Sequence, residues 1–539
     1  MAKQDKSLAP SELAQARSAL AQAHGRKRLD VILGARDPQA LVRALPADEL
    51  YFTIRDIGLG DAAVLAQLAS PEQFKIFLDL DAWTADGFAP RKALPWLRAA
   101  RAGAYRDPKA SARWTRKLQA LDLEVLFLLF RDALRIHDLE QDPDPEFESD
   151  RFMRTPEGKF VVEFVVEGTE YAAVRGLVDD LYAEDPFRAS RLLSAIRWEA
   201  PSELEETALR WRTGRLADLG FPTMEEALSW FARPPRTPAA HAPGAPARPP
   251  GFFLATLATG ALLDGAAAAL PPEERDVLDQ EIVAAANAVL VADQVDVADL
   301  EAVRDAFERA RALLELGLEQ LAGRDPARAA EVLGATPVKR IFQEGFGRVL
   351  ALKWRADRLL AGGAAGTREA PLLDAPLGEA VAALAGKRPR YFPGLEALRE
   401  DWATPAAAAF EPRAFRSADD LARATAALDL AEGLAALART LGLAVRTEGP
   451  LAPRLSTLYL TALANERLGR PFAPAPLAAA ELPAAARALA AIDDPRLATG
   501  GDAGALLLAL ARARAEELRP AAEGGTVRPE HVSAVLVRD

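Results

Sequence analysis

The stretch LRWRTGRLADLGFP, residues 209–222, sets Arg210, Arg212 and Arg215 around Trp211. A guanidinium presents a planar fork of N–H donors, and an aromatic face beside it completes a clamp for a carboxylate or phosphate. Arg210, Trp211, Arg212 and Arg215 are therefore the candidate anion or partner contacts. The competing expectation is a structural network, because Glu203, Glu205, Glu206 and Asp218 lie within reach in sequence. Asp79, Asp81 and Asp86 flank a second tryptophan, Trp83. Such carboxylates suit metal or acid–base work, but no companion group stands near them, so solvated helix ends are expected.

The remaining chemistry-bearing residues are scattered. Histidines occur at 24, 137, 241 and 531, without the close spacing of a zinc site. His137 follows a Leu- and Phe-rich run and is expected at a helix end, complementing the dipole. Asp142, Asp144, Glu146, Glu148 and Asp150 alternate like calcium-loop ligands, yet prolines fill the gaps and the turn glycine is missing. A solvated loop is expected there. GGAAGT from Gly362 lacks the lysine of a phosphate-binding loop, and Gly345-Phe346-Gly347 is not a dinucleotide fingerprint. They read as a linker and as close helix packing. No catalytic residue, cofactor-binding residue, metal ligand or cofactor is assigned.

Composition narrows the classes further. The chain has 539 residues, half of them apolar and 27% charged, and a formal net charge of −12. That length calls for several cores, and that balance is foldable. An acidic chain without a dense basic stripe repels phosphate backbones, so no nucleic-acid partner is expected. Absence of cysteine removes disulfides, thiolate nucleophiles and sulfur-rich metal sites. The N-terminal residues carry charge throughout, and no uncharged apolar run reaches the roughly 18–20 residues of a membrane helix. The expectation is a soluble, cytoplasmic protein with no direct membrane insertion. Heavy Ala, Leu and Arg usage suits a GC-rich bacterial genome.

The elements that must position these residues are mostly helices. Asp-Pro pairs at 37–38, 107–108, 185–186, 325–326 and 494–495 read as N-cap plus first helical residue. Ser70 with Gln73, Ser202 with Glu205, and Thr223 with Glu226 have capping-box spacing. Leu300, Val303, Phe307, Ala310, Leu314, Gly317 and Leu321 hold one helical face, which Gly323 ends. The exception is a β-hairpin near 151–167, where Thr155-Pro156-Glu157-Gly158 precedes a β-branched and aromatic run. The fold class is mainly α, helical-repeat or multi-helix blocks with that one hairpin. Residues 1–29 read as an N-terminal helical extension, and 30–231 as a duplicated helical module with the hairpin inserted. A Pro/Ala-rich linker follows at 232–251, a helical block at 252–360, a softer linker at 361–376 and an Ala-rich helical block at 377–539.

The duplication rests on order and spacing. Leu50-Tyr51, Pro71, Trp83, Gly87-Phe88 and Trp96 recur as Leu181-Tyr182, Pro201, Trp211, Gly220-Phe221 and Trp230. These are packing types, so the repeat encodes a building block. The stretches LASPEQFKIFLDLDAW, LRWRTGRLADLGFPTMEEALSWF and AAANAVLVADQVDVADLEAV, with IFQEGFGRVLALKWRA, resemble a bacterial domain-of-unknown-function family numbered sixty-one seventy-eight. The likeness spans most of the chain from about residue 30 and implies no activity, cofactor or catalytic residue. LPADELYFTIRDIG with LASPEQFKIFLDLD is also similar to helix-pair modules in magnesium-transporter cytosolic domains and flagellar motor-switch proteins. That resemblance implies partner binding or regulation. The chain thus reads as a non-enzymatic protein-interaction or regulatory scaffold with a protein partner. The alternative is an enzyme with a composite Arg/Asp/Glu site.

Overall fold

In the computed structural model the described residues are 19–20, 23, 25–84, 86–232, 261–363, 365–366, 372–396, 410–443, 453–523 and 531–538. The expected linker beyond Ala232, most of the N-terminal extension, His24 and His241 lie outside them. The described chain is mainly helical, with sheets of two or three strands. It forms two compact units. One holds the residues up to Ala232 and Pro271–Ala310; the other holds Ala261–Leu270 and the residues from Arg311 on.

Helix starts follow local chemistry. Asp37, Asp107, Asp185, Asp325 and Asp494 each accept from first-turn N–H groups, with proline at the first helical position. Ser70 with Gln73 and Thr223 with Glu226 close reciprocal capping boxes. Ser202 does not cap. Its helix already starts at Pro201, whose fixed φ suits the first position, and the N-cap is Ala200.

The first unit begins with α1 (Arg26–Leu33), α2 (Pro38–Ala44), α3 (Ala47–Ile57), α4 (Ala63–Leu68) and α5 (Pro71–Asp81). A short ribbon, β1 (Trp83–Thr84) and β2 (Gly87–Phe88), leads to α6 (Pro90–Arg101), α7 (Pro108–Ala120) and α8 (Leu123–Phe130). Helix α3 packs on α5, and α4 on α6. Their shared core is aromatic: Tyr51 stacks on Trp96 at 5.5 Å, and Phe77 meets the same ring at 5.1 Å. The Trp96 indole donates to Asp81, which also lies 3.6 Å from Arg55. Asp81 is therefore buried and partnered, contrary to the solvated position expected, because the indole N–H needed an acceptor in the core.

A three-stranded sheet follows, β3 (Leu134–Asp138), β4 (Phe152–Arg154) and β5 (Phe160–Phe164), in the antiparallel order β3–β5–β4. The hairpin expected from the sequence is β4–β5. His137 corrects the helix-end expectation: it lies on β3, where Leu134 and Ile136 alternate inward with Arg135 outward. Its Nε2 is 3.0 Å from the fully buried Glu163 carboxylate. Glu163 also accepts from the Glu148 and Ser149 amides at 2.7 and 2.6 Å. Phe147 stacks on Phe152 at 4.6 Å. The acidic loop is thus fastened to the sheet through Phe147, Glu148 and Ser149, while Asp142 and Asp144 stay exposed.

Next come α9 (Gly168–Glu184), α10 (Pro186–Trp198), α11 (Pro201–Asp218) and α12 (Met224–Trp230). Helix α13 (Ala261–Ala269) belongs to the second unit and α14 (Pro272–Ala292) to the first. Helix α15 (Leu300–Ala322) contributes to the first unit as far as Ala310. The two proposed copies share an order of three helices, a Gly-Phe pair and a fourth helix, but Gly87-Phe88 is strand β2 and Gly220-Phe221 a helix-end turn. Their packing differs: α6 rests on α4 and α5, whereas α12 packs chiefly on α14. Trp96 is fully buried and Trp230 only half-buried.

The second unit adds α16 (Pro326–Ala335), α17 (Val338–Ala361), α18 (Leu377–Ala385), α19 (Ala418–Thr440) and α20 (Leu455–Arg467). After them come β6 (Leu477–Ala478), α21 (Leu482–Ala488), α22 (Pro495–Ala498), α23 (Gly501–Ala515) and α24 (Arg519–Ala522). Strand β7 (Val537–Arg538) then pairs in parallel with β6. Helices α15 and α17 meet through glycine. A Cβ on Gly317 would stand 1.8 Å from the Ile341 carbonyl oxygen, and one on Gly345 1.9 Å from that of Leu313. No helix among the described residues is long and apolar enough to cross a membrane.

Candidate functional site

Helix α11 carries the four sequence candidates on different faces, since each residue turns by about 100°. Leu209, Arg212, Thr213 and Leu216 share the face toward a cleft within the first unit. Arg210, Trp211 and Arg215 do not line it. Arg210 is exposed and 3.4 Å from Glu206. Trp211 is 57% exposed. The arginines are therefore not one clamp.

Arg215 is fully engaged. It forks onto Asp79 with contacts of 2.6 and 2.9 Å and reaches Asp122 at 2.8 Å. Asp79 is buried. Burial pushes its carboxyl up, and the Arg215 fork together with the Arg212 charge opposes that rise. The partner acids are distant in sequence rather than the neighbouring glutamates expected. The geometry also corrects the solvated reading of Asp79, which caps no exposed end but holds α11 against α5. Asp86 does remain exposed, its backbone N–H directed to Thr84 at 3.3 Å.

Arg212 differs. Its Nε donates to the Asp79 carbonyl at 2.8 Å, and its guanidinium lies 5.5 Å from the centre of the Trp83 ring. Its terminal nitrogens make no hydrogen bond to the described residues. Burial pushes this guanidinium down while Asp79 opposes the shift, yet arginine stays charged in proteins. The two aromatic-and-charge clusters singled out in the sequence, at Trp83 and at Arg212, are thus one place.

The cleft has a volume of about 520 Å³. Leu80, Leu216, Phe221, Leu290, Val291 and Val295 give it apolar walls. Lys92 and Asp296 also line it but are consumed by each other at 2.6 Å. Two helix ends frame the cleft with the same hydrogen-bond motif. At the end of α11 the Gly220 N–H reaches Ala217 and the Phe221 N–H reaches Leu216, with Gly220 at φ 82°. At the end of α14 the Gln294 N–H reaches Val291 and the Val295 N–H reaches Leu290, with Gln294 at φ 51°. This is the left-handed helix stop, for which glycine is the low-cost residue. Gln294 is the one non-glycine residue at positive φ among those described, and it lines the cleft. Asn287 of α14 donates to the Gly220 carbonyl at 3.1 Å and ties the two ends together.

Gln294, Lys92, Asp296 and Asn287 were missed in the sequence. VADQVDV carries no motif, and the only signal was negative: a long helix stops there without a glycine or proline.

A family model described as a family of unknown function, DUF6178, matches residues 5–524. No curated protein matches the chain, and no solved structure does.

Proposed function

We propose that this chain, which belongs to the DUF6178 family, is a protein-interaction or regulatory scaffold rather than an enzyme. The observation that carries the reading is the set of exposed apolar side chains along α10–α12. Phe187 is 89% exposed, Trp198 55% and Trp211 57%, and Leu228 is exposed as well. Helix α11 buries only Ala208 and Leu216 while leaving Trp211 in water. A helix that holds back its aromatic from the core leaves apolar area for another molecule. Tryptophan is enriched among the anchors of protein interfaces. The acids Glu199, Glu203, Glu206, Asp218 and Glu225 surround these residues in sequence, and the chain carries −12 overall. The partner is accordingly a protein with an apolar centre and a basic rim, met in the cytoplasm and drawn in electrostatically.

Crosslinking with mass spectrometry in the source cells tests this, with the full chain and its Trp211→Ala variant. Crosslinks from one protein to α10–α12, lost in the variant, are expected. Repeatable turnover of a small molecule by the purified chain, with no such crosslinks, would overturn the reading in favour of an enzyme.

A further inference from the structure

We infer that the cleft of the first unit is a binding site for a small organic monocarboxylate with an apolar body. Arg212 takes the carboxylate, the Gln294 amide adds a donor, and Leu216, Phe221, Leu290 and Val295 cover the apolar part. None of Phe187, Trp198, Trp211 and Leu228 lines this site, and it does not depend on them.

Three observations converge. The volume of about 520 Å³ falls in the range of small-molecule sites, which are mostly apolar with a few placed polar groups. The other charges are spent: Lys92 on Asp296 within the cleft, and Arg215 of the same helix on Asp79 and Asp122. Among the described residues that line the cleft, Arg212 alone has terminal guanidinium N–H groups without a hydrogen bond, and these form the fork that meets a planar carboxylate with two bonds. Finally, Gln294 stands where glycine would cost less, at the same kind of helix stop that α11 closes with Gly220. A strained residue kept on a cleft wall points to its side chain having a task there. The Gln294 amide makes no hydrogen bond to the described residues and is free to supply one.

The charge of the ligand follows from its surroundings. Helices α5, α11 and α14 all finish at the cleft, and helix C-termini carry partial negative charge. Asp296 adds a carboxylate on the wall. One guanidinium balances a single negative charge against these, whereas a phosphate dianion would remain undercompensated. The short α12 offers no opposing dipole, because Glu226 already accepts from Thr223 at its start.

Titration calorimetry on the full chain tests the site, using straight-chain carboxylates of increasing length with the matching alcohols, amines and alkyl phosphates as controls. Binding of a carboxylate, strengthening with chain length and absent for alcohol and amine, is the expected result. Arg212→Met should weaken it about tenfold or more, and Arg212→Lys by less. Gln294→Gly should weaken it several-fold while raising the melting temperature, a combination that damage to the fold does not produce. Equal binding of amine and carboxylate, unchanged affinity in Arg212→Met, tighter binding of the alkyl phosphate, or no binding of any carboxylate would each overturn the inference.

Discussion

Lys117 on α7 is 1% exposed, and its ammonium donates to the Gln67 carbonyl at 2.9 Å. Burial, reinforced by Arg113, Arg43 and Arg116, pushes the amine down from its ordinary 10.5 to about 7. Between those two values the unfolded chain holds more protons than the folded one, so stability rises as pH increases through that window. The slope is at most about 1.4 kcal/mol per pH unit. Urea melts of the wild type from pH 7 to 10 should show this rise, and Lys117→Met should flatten it. Glu163 has the opposite sign. Burial alone would raise its carboxyl, but His137 and the Ser149 and Glu148 amides outweigh burial and hold it below the usual range. Its contribution is present above the ordinary glutamate range and is lost as pH falls through the depressed value. Glu163→Gln removes a charged acceptor and should cost about 1–3 kcal/mol. Hydrogen exchange at the Glu148 and Ser149 amides should speed up first.

At the scale of elements, two junctions are set by single side chains. Arg215 joins α11 to α5 through Asp79 and to the start of α8 through Asp122. Arg215→Met strands a buried carboxylate and should cost about 3–5 kcal/mol by denaturant unfolding. Adding Asp79→Asn should recover much of that loss, since the uncompensated charge then goes. Trp211→Ala, on the other side of the same helix, should change stability by no more than about 0.5 kcal/mol. In the second unit α15 and α17 touch where Gly317 and Gly345 face opposing carbonyls. Either glycine replaced by alanine forces the helices apart and should cost about 1–3 kcal/mol.

At the scale of the whole molecule, the first unit is not closed by residue 232. Helix α14 supplies the surface on which α12 packs, and its end forms one wall of the cleft. A fragment ending at residue 232 would leave that face of α12 uncovered. It should melt lower and aggregate more readily than a fragment ending at residue 310, as checked by circular dichroism and light scattering. Loss of carboxylate binding should follow the same division, with the shorter fragment inactive.

Sequence alone determined the helix starts, the mainly helical class and the β4–β5 hairpin. Each depends on residues within one or two turns of each other: an aspartate accepting from its own helix, a proline with fixed φ, a Thr-Pro-Glu-Gly turn before a β-branched run. It also brought forward Arg212 and Trp83 as separate points of interest. Only the tertiary structure decided that they face one cleft, because the Arg212 bond to Asp79 joins residues 133 apart. The same holds for β3, which is a strand by virtue of its pairing with β5 across an intervening acidic loop. It also holds for Gln294, an ordinary polar residue until the end of α14 places it at positive φ on the cleft that Arg212 also lines. Local geometry is written in adjacent residues. A binding site is the convergence of distant ones, and burial of the core determines where they meet.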